Sequence, residues 1–173
     1  MKQKNMFMTI VVLVMIGCLF STADAQTVLV DKKGDVCLYK EINQMTDEVN
    51  YTVKIYDSER KAYLIIMYQK NKVFAYIIDL LRMVDTDDND ITIKYRFDSK
   101  STQSIEVWSD NNHLIVVAAL GLDPGLLSVL VEQMKSSDIL RFQIPIFNRG
   151  QNVFKFKLDG FTTIHNKALS LSK

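Results

Sequence analysis

The feature that most constrains this fold is alternation of apolar and polar residues in four separate segments. Val49, Tyr51, Val53 and Ile55 alternate with Asn50, Thr52 and Lys54, and Ile91, Ile93, Tyr95 and Phe97 with Thr92, Lys94 and Arg96. Leu140, Phe142, Ile144 and Ile146 alternate with Arg141, Gln143 and Pro145, and Phe154, Phe156 and Leu158 with Lys155 and Lys157. Side chains on a strand point to opposite faces in turn, so each segment reads as a strand with one buried face. Polar or glycine-bearing tetrads join such segments into hairpins: Gln69-Lys70-Asn71-Lys72 between 63–68 and 73–78, Ser109-Asp110-Asn111-Asn112 between 105–108 and 114–118, and Asn148-Arg149-Gly150-Gln151 between 139–147 and 153–158. Pro145 lacks an N–H, which predicts an edge or a bulge at its strand.

Two stretches depart from this period. Asp123-Pro124-Gly125, followed by Leu126, Leu127, Val129, Leu130 and Met134, predicts a capped helix with proline at its first position. Ile164, Ala168 and Leu171 fall at helical spacing in the tail from Phe161. Residues Asp79 to Val84 fit either a strand end or a helical turn. The expected fold is mainly β: an antiparallel β-sandwich of hairpins with one helix near 124–136 and a short C-terminal helix, an α+β arrangement being the alternative.

The N-terminus predicts export. Lys2 and Lys4 precede an uncharged, apolar run from Met6 to Phe20, and Ala23-x-Ala25 supplies the small-x-small pattern of a signal peptidase site between Ala25 and Gln26. The run is shorter than the ~20 residues of a transmembrane helix. Residues 1–25 therefore read as a signal peptide and 26–173 as a single domain, secreted or periplasmic, with no membrane span after cleavage. Met15-Ile16-Gly17-Cys18 offers a second route, a lipoprotein box with Met15 in the usual leucine place, which would anchor the chain by lipid on Cys18.

The whole chain has 21 Lys+Arg and 20 Asp+Glu. Removing residues 1–25 takes Lys2, Lys4 and Asp24, so the remainder is neutral. A neutral domain lacks the basic surplus that a nucleic-acid partner requires. Only Cys37 remains after cleavage, so an internal disulfide is excluded; it reads as a small buried hydrophobe.

Few residues suggest chemistry. Asp85, Asp87, Asp88 and Asp90 have the alternation of a Ca²⁺ loop. However, Asp90 stands where the template needs glycine and Arg96 where it needs glutamate, so the cluster reads as a solvated turn. His113 and His165 read as surface or rim residues, without metal-ligand spacing or a nucleophile motif beside them. Trp108 reads as sheet packing, or as a sugar-stacking ring. Asn50-Tyr51-Thr52 matches a glycosylation sequon inside a strand. No catalytic residue, metal site or cofactor is expected.

Tyr95-Arg96-Phe97-Asp98, then Gln103 and Trp108, the Leu-rich helix from Leu126 to Met134, Ile139-Leu140-Arg141-Phe142-Gln143-Ile144-Pro145, and Phe154-x-Phe156-x-Leu158-x-Gly160-Phe161 running on to Ala168-Leu169 occur in one order. In that order and spacing, residues 63–171 resemble the type VI secretion-associated accessory family of periplasmic proteins. Tyr68 stands where that family would place a cysteine, leaving Cys37 without a disulfide partner. The resemblance implies a non-catalytic module with a protein partner in the envelope, and no catalytic residue. Its matching positions Arg96, Asp98, Trp108 and Gly160 read first as structure: an ion pair or pinned turn for Arg96 and Asp98, packing for Trp108, and a turn into the tail helix at Gly160. A carbohydrate- or lipid-binding module is the alternative, and a hydrolase built on His113 or His165 the third reading.

Overall fold

The structure, a computed structural model, describes residues 25–59, 61–80, 90–109, 113–117, 124–146 and 148–173. Its strands are β1 (Ala25–Lys33), β2 (Val36–Asn43), β3 (Val49–Tyr56), β4 (Ala62–Gln69), β5 (Lys72–Leu80), β6 (Asp90–Phe97), β7 (Gln103–Ser109), β8 (His113–Val117), β9 (Ile139–Ile146) and β10 (Gly150–Lys157). Two helices accompany them among the described residues, α1 (Pro124–Lys135) and α2 (Phe161–Leu171). The mainly-β antiparallel fold with one helix over 124–135 and a C-terminal helix is the one that the alternation predicts. None of the described helices is long and apolar enough to cross a membrane.

The strands pair antiparallel in the order β1-β2-β3-β4-β5-β8-β7-β6-β9-β10. Between β7 and β8 only Trp108↔Ile115 and Ser109↔Leu114 pair, so this short seam joins two sheets, β1-β2-β3-β4-β5-β8 and β7-β6-β9-β10. The hairpin expected there is thus reduced to its base, and β8 pairs over its whole length with β5. At the far end, Asp57 forms a lone antiparallel bridge with Phe156, and the Ser58 N–H donates to the Lys155 carbonyl at 2.8 Å. The array therefore folds back until β10 meets the turn after β3.

This folding encloses one core. It holds Leu38 of β2, Val53 and Ile55 of β3, Leu64 and Ile66 of β4, Ile93 of β6, Ile144 of β9 and Phe156 of β10, all buried. Burying one such side chain contributes ~1.5–3 kcal/mol. α1 covers β5 with Leu127, Leu130, Val131 and Met134, and the Tyr76 hydroxyl donates to the Leu127 carbonyl at 3.4 Å. α2 lies against β1, β2 and β3 and buries Phe161, Ile164, His165 and Ala168.

Local chemistry sets the turns. Lys70 and Asn71 both have positive φ, 49° and 60°, as a two-residue hairpin turn of the right twist requires. The Asn71 N–H then donates to the Ser172 carbonyl at 2.9 Å, tying this turn to the end of α2. Pro145 corrects an expectation: β9 is neither an edge strand nor bulged, because β10 pairs along it in unbroken register. Its missing N–H is tolerated because the β6–β9 ladder stops at Lys94↔Gln143, two residues short of the proline. β1 and β2 are strands that the four alternating segments did not include.

Candidate functional site

Alternation assigns each strand an inner face, turned to the core, and an outer one. The outer face divides into two chemically distinct areas. Over β6, β9 and β10 it carries Thr92, Lys94 and Arg96, then Arg141 and Gln143, then Lys155 and Lys157, as expected of a sheet with one side in water. Over β3, β4 and β5 it is apolar and aromatic. Rungs of the ladder set out the area: Leu29, Tyr39, Thr52, Met67 and Ala75 pair in one row, and Cys37, Lys54, Ile65 and Ile77 in the next. The last row pairs Tyr56, Tyr63 and Asp79, with His113 opposite Asp79 in register.

Ile65, Met67, Ala75 and Ile77 form a second buried cluster on this face, with half-buried Tyr63 and Trp108 packed against it. The rings beside it are fixed. Tyr56 and Tyr63 meet edge to face, with centroids 5.0 Å apart and planes at 78°. The Tyr39 and Tyr56 hydroxyls lie 3.3 Å apart, and the Lys54 ammonium sits 5.4 Å over the Tyr39 ring. The hydrogen bond to Tyr56, with burial, pushes the Tyr39 phenol up, so it stays a neutral donor and acceptor. Such a surface presents flat apolar rings with polar tips, the composition enriched where proteins meet partners or sugars.

The inner side holds a buried polar pair. His165 on α2 is 3% exposed, and its Nδ1 lies 2.9 Å from the Tyr68 hydroxyl on β4. Phe161 stacks at 5.4 Å from the imidazole. Burial first, then the Lys135 ammonium, lowers the His165 pKa to about 4, against a smaller upward pull from Glu132. This overturns the expectation of a surface or rim histidine. The signal was present: Phe161, His165 and Ala168 fall at helical spacing with Ile164, and these four are buried, whereas Leu171 is exposed. Beneath α1 lies an apolar cavity of about 20 Å³ lined by Leu64, Tyr76, Tyr95, Met134 and Phe142. Its apolar walls give a water no partners.

The other singled-out residues are placed as follows. Asp98, at φ 47°, accepts from the Asp138 and Ile139 N–H groups through Oδ1, at 3.1 and 2.9 Å. Its carbonyl takes the Arg141 guanidinium at 2.9 Å. Asp98 thus pins the chain where it leaves α1 for β9, and Arg96 lies exposed two residues before it. Gly160 has φ 83° at the start of α2, and a Cβ there would lie 2.5 Å from Lys33 Cγ. Trp108 closes the outer cluster at the seam. Cys37 is buried and free, on the outer face, whereas Tyr68 points into the core. Ala25 and Gln26 open β1, and Asp90 opens β6. Cys18, Asp85, Asp87 and Asp88 lie outside the described residues. Among the described residues, no group of three or more His, Cys, Asp or Glu is placed to hold a metal ion. Comparison with family models, curated proteins and solved structures finds no match.

Proposed function

We propose that this chain is an exported, non-catalytic interaction module of the bacterial envelope, secreted or periplasmic, that meets a protein partner through the aromatic outer face of β3, β4 and β5. The carrying observation is the division of the outer face. Charged and polar residues with one exposed valine, Val153, stand on it over β6, β9 and β10, while on the other half half-buried Tyr39, Tyr56, Tyr63 and Trp108 surround the buried Ile65, Met67 and Ile77. Half-buried aromatic rings with polar tips are enriched where proteins meet partners. The signal-like N-terminus and the resemblance of residues 63–171 to type VI secretion-associated accessory proteins support the location and the role. Cross-linking in the native host tests the reading. Recovery of secretion-apparatus or envelope-assembly proteins supports it, and recovery of the chain alone in a soluble fraction overturns it.

The same rings favour a carbohydrate-binding module as the second reading, since tyrosine and tryptophan faces also stack on sugars. Glycan binding that disappears in Trp108→Ala, with no protein cross-linked, selects it.

A further inference from the structure

The aromatic half of the outer face has a counterpart of opposite chemistry on the second sheet. Arg96 pairs with Arg141, and Arg141 with Lys155, so three cations stand in one rung across β6, β9 and β10. At strand spacing this rung is about 10 Å long. Lys94 and Lys157 lie two residues along, one on either side of it, and extend the row diagonally to about 16 Å. Like charges directly opposite one another destabilise a sheet.

Nothing in the described structure neutralises the row. Residues 91–97, 139–146 and 150–157 contain no aspartate or glutamate. None of the five cations belongs to an ion pair among the described residues. Asp98, just beyond β6, is committed elsewhere: its carboxylate accepts from the Asp138 and Ile139 N–H groups, and Arg141 donates to its carbonyl.

The chemistry of the face selects its occupant. No aromatic ring of these strands points outward, since Tyr95, Phe97, Phe142, Phe154 and Phe156 are all buried, so a sugar has nothing to stack on. Lysine, three of the five cations, is depleted at protein interfaces. Beyond residue 25 the chain is neutral and lacks the basic surplus of a nucleic-acid binder. The side chains interleaved with the cations are aliphatic: Val153, 63% exposed, and half-buried Ile139. Long flexible cations around short aliphatic groups suit lipid headgroup phosphates at the rim of an acyl layer.

We infer that the outer face of β6, β9 and β10 rests on an anionic lipid surface. Arg96, Arg141 and Lys155 take headgroup phosphates, and Lys94 and Lys157 extend the contact. Both sheets turn their inner faces to the same core, so their outer faces look in opposite directions. A chain lying on its cations therefore holds the aromatic area of β3, β4 and β5 away from the bilayer.

Sedimentation with vesicles tests this on the protein purified from its native host. The expected result is binding to phosphatidylcholine vesicles that contain phosphatidylglycerol and none to phosphatidylcholine alone. Release is expected at about 1 M salt, where charges are screened beyond ~3 Å. Lys155→Ser/Lys157→Ser weakens binding by roughly tenfold or more with unchanged thermal melting. Lys32→Ser/Lys40→Ser removes the same charge from the first sheet and leaves binding intact. Absence of binding to the anionic vesicles overturns the inference, as does equal binding to neutral ones, which a lipid on Cys18 gives. Equal loss in the two variants, or binding to a soluble sulfated polysaccharide but not to vesicles, overturns it too. The vesicles contain no protein, so this result and the capture of an envelope partner by the aromatic face stand or fall separately.

Discussion

His165 shows how one buried side chain makes a fold sensitive to acid. Its folded pKa, about 4, lies below the ~6.5 of an unfolded histidine. Between these values the unfolded chain binds the proton more readily, so stability falls as pH drops from about 6.5 to about 4 and its histidine-dependent part changes no further below that. The full loss is on the order of 3 kcal/mol. Urea melts at pH 7, 5.5 and 4 should show this slope in the wild type and a flatter one in His165→Phe; parallel curves would contradict it. Gly160 illustrates a different constraint. With φ 83° and Lys33 packed where a Cβ would go, Gly160→Ala should cost about 1–3 kcal/mol in the same melts, and an unchanged midpoint would contradict the close approach. A glycine between a strand pattern and a helix pattern is readable as a turn from sequence. The burial of His165 was not read, because a lone histidine looks the same on a rim or in a core. Only the stripe it shares with Phe161 and Ala168 distinguishes the two.

At the scale of elements, α2 is the piece that closes the β1–β3 end of the core. Phe161 is fully buried and adjoins His165, which hydrogen-bonds to Tyr68. Phe161→Ala should destabilise the domain by about 3–5 kcal/mol, read from thermal or urea unfolding, and a loss under 1 kcal/mol would mean that α2 is peripheral. The alternating segments 49–55, 91–97, 140–146 and 154–158 became β3, β6, β9 and β10, because each buries one face and is wet or half-covered on the other. β4 was legible through its turn instead, since it is buried on both faces and its run from Leu64 to Tyr68 does not alternate. β1 and β2 gave no such pattern. Val36, Cys37 and Leu38 are buried in succession before Lys40 and Glu41, and β1 is an edge strand on which only Val30 and Asp31 are half-buried, so neither strand has a consistent inside and outside. Pro145 looks like an edge signal in the sequence, because a sequence cannot show where a neighbouring ladder ends.

For the whole molecule, the fold class was legible and the candidate surface was not. Alternation says that a strand has two faces, but only the strand order gathers Tyr39, Tyr56, Tyr63, Ile65, Met67 and Trp108 from four strands onto one side. It likewise collects Lys94, Arg96, Arg141 and Lys155 on the other half of the outer face. This division supplies a control within the same protein. The most direct test is cross-linking in the native envelope with three forms of the chain: wild type, Tyr63→Ser/Trp108→Ser and Lys94→Ser/Arg96→Ser. The account predicts that wild type and the charged-face variant recover the same envelope protein and that the aromatic-face variant, folded by circular dichroism, loses it. Recovery of that partner by the aromatic-face variant at wild-type level, or of no partner by the wild type, would contradict it.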